Sequence, residues 1–333
     1  MPLSLRRGTV GAVLEEHEEL VRFEVDGEAC VAYPRLTGPV AVGDEVLLNV
    51  QAAALGLGTG GFHVLHANLT RGLELAAAPG AHVMVLPYTS LQSAARHAEE
   101  DEPLAETLEG QPVVCCSLHS QLAPVCAALA GRRVAYLQLG GGALPVSLSD
   151  AVRALRGRSL LETAIAAAPC FDGDVQCAGA ASALAWAAAQ GYDAVVCAIG
   201  PGISGTGTML GHGGLAAAEA ANAASALGGR PVLAVRYSDA DARDRHRGVS
   251  HHTRAALGLC LGEVAVAWPA GLAAPAWLAR RQEVDVAGWR EGCEGLALSH
   301  MGRGPDEDPW FFAAAFAAGR LVAGMDVSRS AHA

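Results

Sequence analysis

The chain has no lysine; all 23 of its basic residues are arginines. A pyridoxal cofactor needs a lysine amine for its Schiff base, so pyridoxal phosphate chemistry is excluded. A Walker-type phosphate loop needs its lysine and is excluded with it. No block of clustered positive charge exists either, and the formal net charge is −11. Duplex nucleic acid demands counterion release through clustered basic residues, so nucleic acid is not an expected partner. Anionic membrane surfaces call for the same clusters and are not expected partners either. No long apolar run is present. The Ala-rich stretch Ala178–Ala198 is broken by Gln190, Gly191 and Asp193, which rules it out as a membrane span. Met1–Glu19 has no apolar stretch behind Arg6 and Arg7, so it does not read as a signal peptide. Aromatic residues make up only 5%. There is no C-x-x-C pair among the nine cysteines, several of which sit in apolar runs. Reduced, buried thiols of a cytoplasmic protein are the expectation.

What is present is small and apolar. Hydrophobic residues make up 51% of 333 residues, ample for a large core. Leu20–Asp26 alternates Val21, Phe23 and Val25 against Arg22, Glu24 and Asp26, the period of a strand. Asp26-Gly27 is a hairpin signal, with Glu28–Tyr33 as the returning strand and Asp44–Gln51 as another. Short strands with tight turns predict a small barrel, taken as a domain over residues 1–70. A packing or homo-oligomerisation role suits it better than nucleic acid.

From about residue 80 short apolar runs alternate with helical stretches. The runs are His82–Leu86, Pro112–Cys116, Arg133–Leu139, Ala194–Ile199, Pro231–Arg236 and Gly262–Trp268. Helices are predicted near Ser120–Ala130, Val175–Gln190, Leu215–Leu227 and His251–Cys260. The fold class is therefore α/β: a mainly parallel sheet flanked by helices over residues 71–333, preceded by the barrel. In such sheets ligands sit at the carboxyl ends of the strands.

Two segments leave such ends. Gly200–Gly214 holds seven glycines in fifteen residues and joins a strand to a helix. Gly202, Gly205 and Gly207 let backbone approach a ligand, while Ser204, Thr206, Thr208 and His212 add polar groups. Amides at a helix N-terminus suit a phosphate or carboxylate. The spacing is not the dinucleotide fingerprint, because Leu210 follows Gly207 three positions on. The second segment, Arg236–Thr253, contains Arg236, Arg243, Arg245 and Arg247, three aspartates and three histidines. Guanidinium groups clamp carboxylate or phosphate. Asp241, His246, His251 and His252 are candidates for proton transfer, and a divalent metal is compatible with them. Ser250 is placed to cap a helix starting at His251. Adjacent helical residues diverge by about 100°, so His251 and His252 are expected to serve different roles rather than one shared metal. The strands Ala194–Ile199 and Pro231–Arg236 are joined by a single helix, and a right-handed crossover between them predicts that the two segments meet in one cleft. His119, at a strand-to-helix corner in Ser117–Ser120, is a further catalytic candidate. His300 and Arg303 lie within reach, and Asp306, Glu307 and Asp308 read as helix N-terminal charges.

Gly200–Thr208, Arg243–Thr253, the glycine stretch Gly56–Gly61 and the His300–Pro309 motif together resemble a bacterial family catalogued as domain of unknown function 3866. The resemblance covers nearly the whole chain. It implies that these segments belong together and names no reaction. The chain departs from the family where a polar T-D-G-like turn and a G-H-A-F-G-G-D-like turn are expected. Gln138-Leu-Gly140 and Pro169-Cys-Phe171 stand there instead, within Leu137–Gly142 and Ala168–Asp174. An altered or inactive member is one consequence. The expected function is an enzyme, a hydrolase or group transferase, acting on a small anionic molecule. The alternative is a binding or sensing protein with the same pocket and no turnover.

Overall fold

The computed structural model describes residues 3–56, 61–71, 74–279 and 281–325. The chain divides into two compact units, Met1–Arg96 and His97–Ala333. The first opens with strands β1 (Leu5–Glu16), β2 (Val21–Val25), β3 (Glu28–Ala32), β4 (Glu45–Asn49) and β5 (His63–Asn68). They close into a barrel in the order β1-β2-β3-β5-β4. The period-two pattern of β2 explains its burial: Val21, Phe23 and Val25 line the interior. Asp26 and Gly27 both have positive φ, 54° and 77°, as a two-residue hairpin turn requires. Residues 57–60 of the glycine stretch at Gly56–Gly61 lie outside the described residues.

The run His82–Leu86 does not join the large sheet. Its strand β6 (Val83–Val85) pairs with β7 (Ser93–Ala95) in a separate hairpin.

The second unit holds β8 (Pro112–Cys116), β9 (Val134–Leu139), β10 (Thr163–Ala167), β11 (Val175–Cys177), β12 (Ala194–Ile199) and β13 (Arg230–Ala234). A short ribbon follows, β14 (Tyr237–Ser238) with β15 (Gly248–Val249), then β16 (Ala265–Pro269) and β17 (Arg281–Val284). Eight of these form one sheet in the order β11-β10-β9-β12-β8-β13-β16-β17, every neighbouring pair parallel. Helices cover both faces. Leu122–Ala128, Asp150–Gly157 and Pro309–Ala323 pack on one; Ala180–Ala189, Ala216–Ala226 and His251–Leu259 pack on the other. Burial on both faces explains the unbroken apolar runs of β8, β9 and β12.

Strands β10 and β11 and the helix Asp150–Gly157 were not read from the sequence. Thr-Ala-Ile-Ala-Ala of β10 has a helix-forming composition, and only its place between β9 and β11 makes it a strand. Val175–Cys177, predicted as the start of a helix, is strand β11; the helix begins at Ala180.

The order places β8 between β12 and β13. The chain leaves β8 toward β9 and leaves β12 toward β13, so the connections diverge at β12/β8. That is a topological switch point, where parallel sheets open a crevice at the strand ends.

Candidate functional site

The Arg/His segment folds as a ribbon. After β13, the pair β14–β15 carries residues 239–247 outward and returns them to the helix His251–Leu259. Thr253 Oγ1 accepts from Arg236 N at 2.9 Å, and Ser250 N donates to Arg236 O at 2.9 Å, so strand end and helix start are clamped. Ser250 caps the helix as predicted, accepting from His252 N at 3.2 Å. Its hydroxyl is also 2.8 Å from His246 Nδ1.

The two segments do meet. His212, from the glycine segment, stacks on His252 with centroids 3.8 Å apart and lies 5.1 Å from His251. His246 lies 4.8 Å from His251 and 4.9 Å from His252. All four histidines are buried. His251 and His252 diverge less than expected: one nitrogen from each of His212, His251 and His252 falls within 4.8 Å of the others. The stack on His212 turns the His252 ring toward its neighbour.

The glycine segment differs from a simple cradle. Gly205 and His212 face each other across a small antiparallel bridge. Thr206 and Thr208 hydroxyls bond each other at 2.8 Å and the segment's own backbone. A short 3-10 turn, Gly213–Leu215, precedes the helix. The glycines permit backbone contact: a Cβ on Gly213 would stand 2.0 Å from Gly141 O, and one on Gly142 would stand 2.2 Å from Gly200 O. The loops after β9 and β12 are thereby pressed together. Gly202 takes a left-handed φ of 75° at the start of this loop, and Ser204 N donates to Gly141 O. The departing turn near Gln138 serves the same junction, with its amide donating to Ala143 O and Leu144 O at 3.1 and 3.0 Å.

Charge in the Arg/His segment centres on Asp241, which is 1% exposed. Arg243 grips it with Nε at 2.9 Å and Nη2 at 2.8 Å. Arg303 reaches it at 3.3 Å and Arg236 at 3.7 Å. Arg303 also bonds Asp308 at 3.2 Å, and Ser238 donates to Asp308 at 2.6 Å. Asp308 is thus an interior counter-charge, whereas Asp306 pairs with Arg290 at the surface. Arg245 makes no ion pair among the described residues, and a Cβ on Gly207 would be 3.9 Å from its Nη1. Asp239 bonds Tyr237, not an arginine. Two buried carboxylates, Asp241 and Asp308, therefore face Arg236, Arg243 and Arg303.

Burial and this positive surplus set the titrations. Burial raises the Asp241 carboxyl, but hydrogen bonds and charge from Arg243 more than offset it and hold the group well below its ordinary value. Burial, then Arg236 and Arg243, lowers His246 to about 3. Burial and the neighbouring His212 and arginines lower His251 to about 4, and His252 falls further. Burial pulls Arg236 down to about 9, with Arg243 adding repulsion. A guanidinium stays protonated at that value, so Arg236 remains a buried cation at neutral pH. Its Nε has no hydrogen-bond partner.

His119 stands apart from the four histidines. Its Nδ1 meets Ile199 O at 3.2 Å and its Nε2 meets Ser149 Oγ at 2.7 Å, tying β8 to β12. Burial lowers it to about 4. Gln121, which the sequence did not single out, ties β8 to β13 through Ala234 O and Val235 O, both at 3.1 Å. His300 lies flat on Phe311, centroids 3.8 Å apart, and its Nδ1 is 3.2 Å from Ser120 Oγ. The cysteines are all free, and burial raises Cys115 and Cys116 well above the ordinary thiol value, so neither is an activated nucleophile. A groove of about 1260 Å³ lies at the amino end of β13 and β16, lined by Arg254, Leu257, Trp277 and Leu278 among others, and contains none of the histidines. No helix among the described residues is long and apolar enough to cross a membrane.

None of the curated proteins matches the chain. A family model described as protein of unknown function (DUF3866) matches residues 29–319, spanning the barrel strands from β3 onward, the whole parallel sheet and every histidine of the cluster. The chain belongs to that family.

Proposed function

We propose that this protein is an enzyme, a hydrolase or group transferase, acting on a small anionic molecule bound at the carboxyl ends of β12, β8 and β13. The observation that carries the reading is Arg236. Its guanidinium is 2% exposed, its Nε has no partner, and the carboxylate nearest it, Asp241, is already gripped by Arg243. A buried, undercompensated cation is costly, and an anion is the natural complement. Arg245, unpaired beside the glycine segment, supplies a second contact. Each charged hydrogen bond to a carboxylate or phosphate contributes roughly 1.5–3 kcal/mol. Burial and arginine charge hold His246 neutral at pH 7, so its ring offers an uncharged hydrogen-bond donor to a reacting oxygen, which favours catalysis over storage. The glycine segment brings His212 against His251 and His252. Nine free cysteines suit a reducing, cytoplasmic setting.

Calorimetry with phosphate, nucleotides and small carboxylates tests this reading. Binding of at least one of them, weakened in Arg245→Ala, is the expected result. If the parent binds none, the arginines serve only the internal network and the anion reading fails. Tight retention without turnover by any phosphatase, esterase or transferase assay would favour the sensing alternative.

A further inference from the structure

We infer that His212, His251 and His252 hold one divalent transition-metal ion of the zinc or cobalt type, with an open coordination position for the anion. The open position rests on the anion reading above; the metal does not.

Two observations meet here. The first is convergence. One nitrogen from each ring lies within 4.8 Å of the others, and all three side chains are buried. Nitrogens sharing one tetrahedral zinc lie about 3.3 Å apart, because each Zn–N bond is about 2.0–2.1 Å. Small rotations of the rings close that gap. The second is orphaned polar atoms. His212 Nδ1 and His251 Nε2 are buried with no hydrogen-bond partner. A buried lone pair without a partner is costly, and a metal satisfies both at once. His212 is already prepared: its Nε2 donates to Met209 O at 3.0 Å, so its lone pair is on Nδ1. A backbone carbonyl on the far nitrogen is the usual support of a histidine ligand.

His252 differs. Arg236 Nη1 donates to its Nδ1 at 2.9 Å, so its proton sits on Nε2. Coordination at Nε2 requires the other tautomer: the ring proton moves to Nδ1 and the Arg236 guanidinium turns away from that atom, with no net proton released. The arginines oppose a bare cation. An anion in the open position compensates them, so metal and anion are expected to strengthen each other's binding, each by the same factor.

The test uses the full chain, freed of metal by a chelator and titrated with Co²⁺ alone, then with inorganic phosphate added. The expected result is one equivalent per chain, visible absorption of a low-coordinate nitrogen site, and a raised thermal midpoint. His251→Gln and His212→Gln should each weaken binding about 100-fold or more, whereas His82→Gln, an exposed histidine of the first unit, should not. The parent's stoichiometry and spectrum do not depend on any variant folding. No stoichiometric uptake by the parent, or equal uptake by well-folded His251→Gln, overturns the inference. Phosphate binding to the metal-free chain would in that case leave the anion reading standing. Co²⁺ uptake with a spectrum indifferent to every anion tried would support the metal and count against the anion.

Discussion

Arg236 Nη1 donates to His252 Nδ1 at 2.9 Å, and both side chains are buried. Arg236 lies just past β13 and His252 in the first turn of the helix His251–Leu259, so a single bond ties the positive centre of the site to its histidine cluster. That bond also sets the His252 tautomer, with the ring proton on Nε2.

Asp241 is the carboxylate on which Arg236, Arg243 and Arg303 converge. Asp241→Asn leaves buried positive charge without its counter-ion, a change that costs about 3–5 kcal/mol at comparable sites. Urea unfolding should show a loss of that order. A loss below about 1 kcal/mol would mean that solvent, not Asp241, compensates the arginines.

Arg245 offers the cleanest separation of binding from folding. It is exposed and makes no ion pair among the described residues. Arg245→Ala should change stability by no more than about 0.5 kcal/mol. Anion affinity, by calorimetry, should fall about tenfold, matching the lower end of a charged hydrogen bond. Unchanged affinity for an anion that the parent binds would remove Arg245 from the site.

Stability should fall as the solution is acidified, through His119 and His300. Both are buried or nearly so and lowered, to about 4 and about 3, first by burial. Arg236 and Arg303 lower His300 further, while Asp241 opposes them. Between those values and about 6.5 the unfolded chain binds protons that the folded chain refuses. The contribution is intact above about pH 7 and is lost on descending through this window, by up to about 1.4 kcal/mol per pH unit per histidine. Denaturant midpoints from pH 7.5 to 5 should decline, and less steeply in His119→Gln. A flat profile in the parent would contradict the neutral, buried assignment.

Two glycines should respond in opposite directions. A Cβ on Gly213 would meet Gly141 O at 2.0 Å, so Gly213→Ala must move one loop; about 1–3 kcal/mol is expected, together with displaced His212 and weakened Co²⁺ binding. Gly258, inside the helix His251–Leu259, has nothing within 4 Å of its virtual Cβ. Gly258→Ala should stabilise by about 0.5–1 kcal/mol. Thermal midpoints that move together would mean that close approach does not explain the glycines.

Local patterns in the chain determined a good deal by themselves. Alternation in Val21–Val25 and the Asp26-Gly27 turn specify a hairpin, because side-chain period and positive φ are properties of a few neighbouring residues. The apolar runs of β8, β9 and β12 specify buried parallel strands, and Ser250 specifies the start of its helix, for the same reason. Clustered arginines and histidines after a strand marked where to look. Tertiary structure alone decided which of them meet. His212 joins His251 and His252 across 39 and 40 positions of sequence, Asp308 turns inward to Ser238 and Arg303, and His119 is drawn off to Ile199 and Ser149. The Ala-rich β10 becomes a strand only between its neighbours. Such outcomes depend on strand order and on the close approach of two glycine loops, interactions between distant segments that no local period encodes.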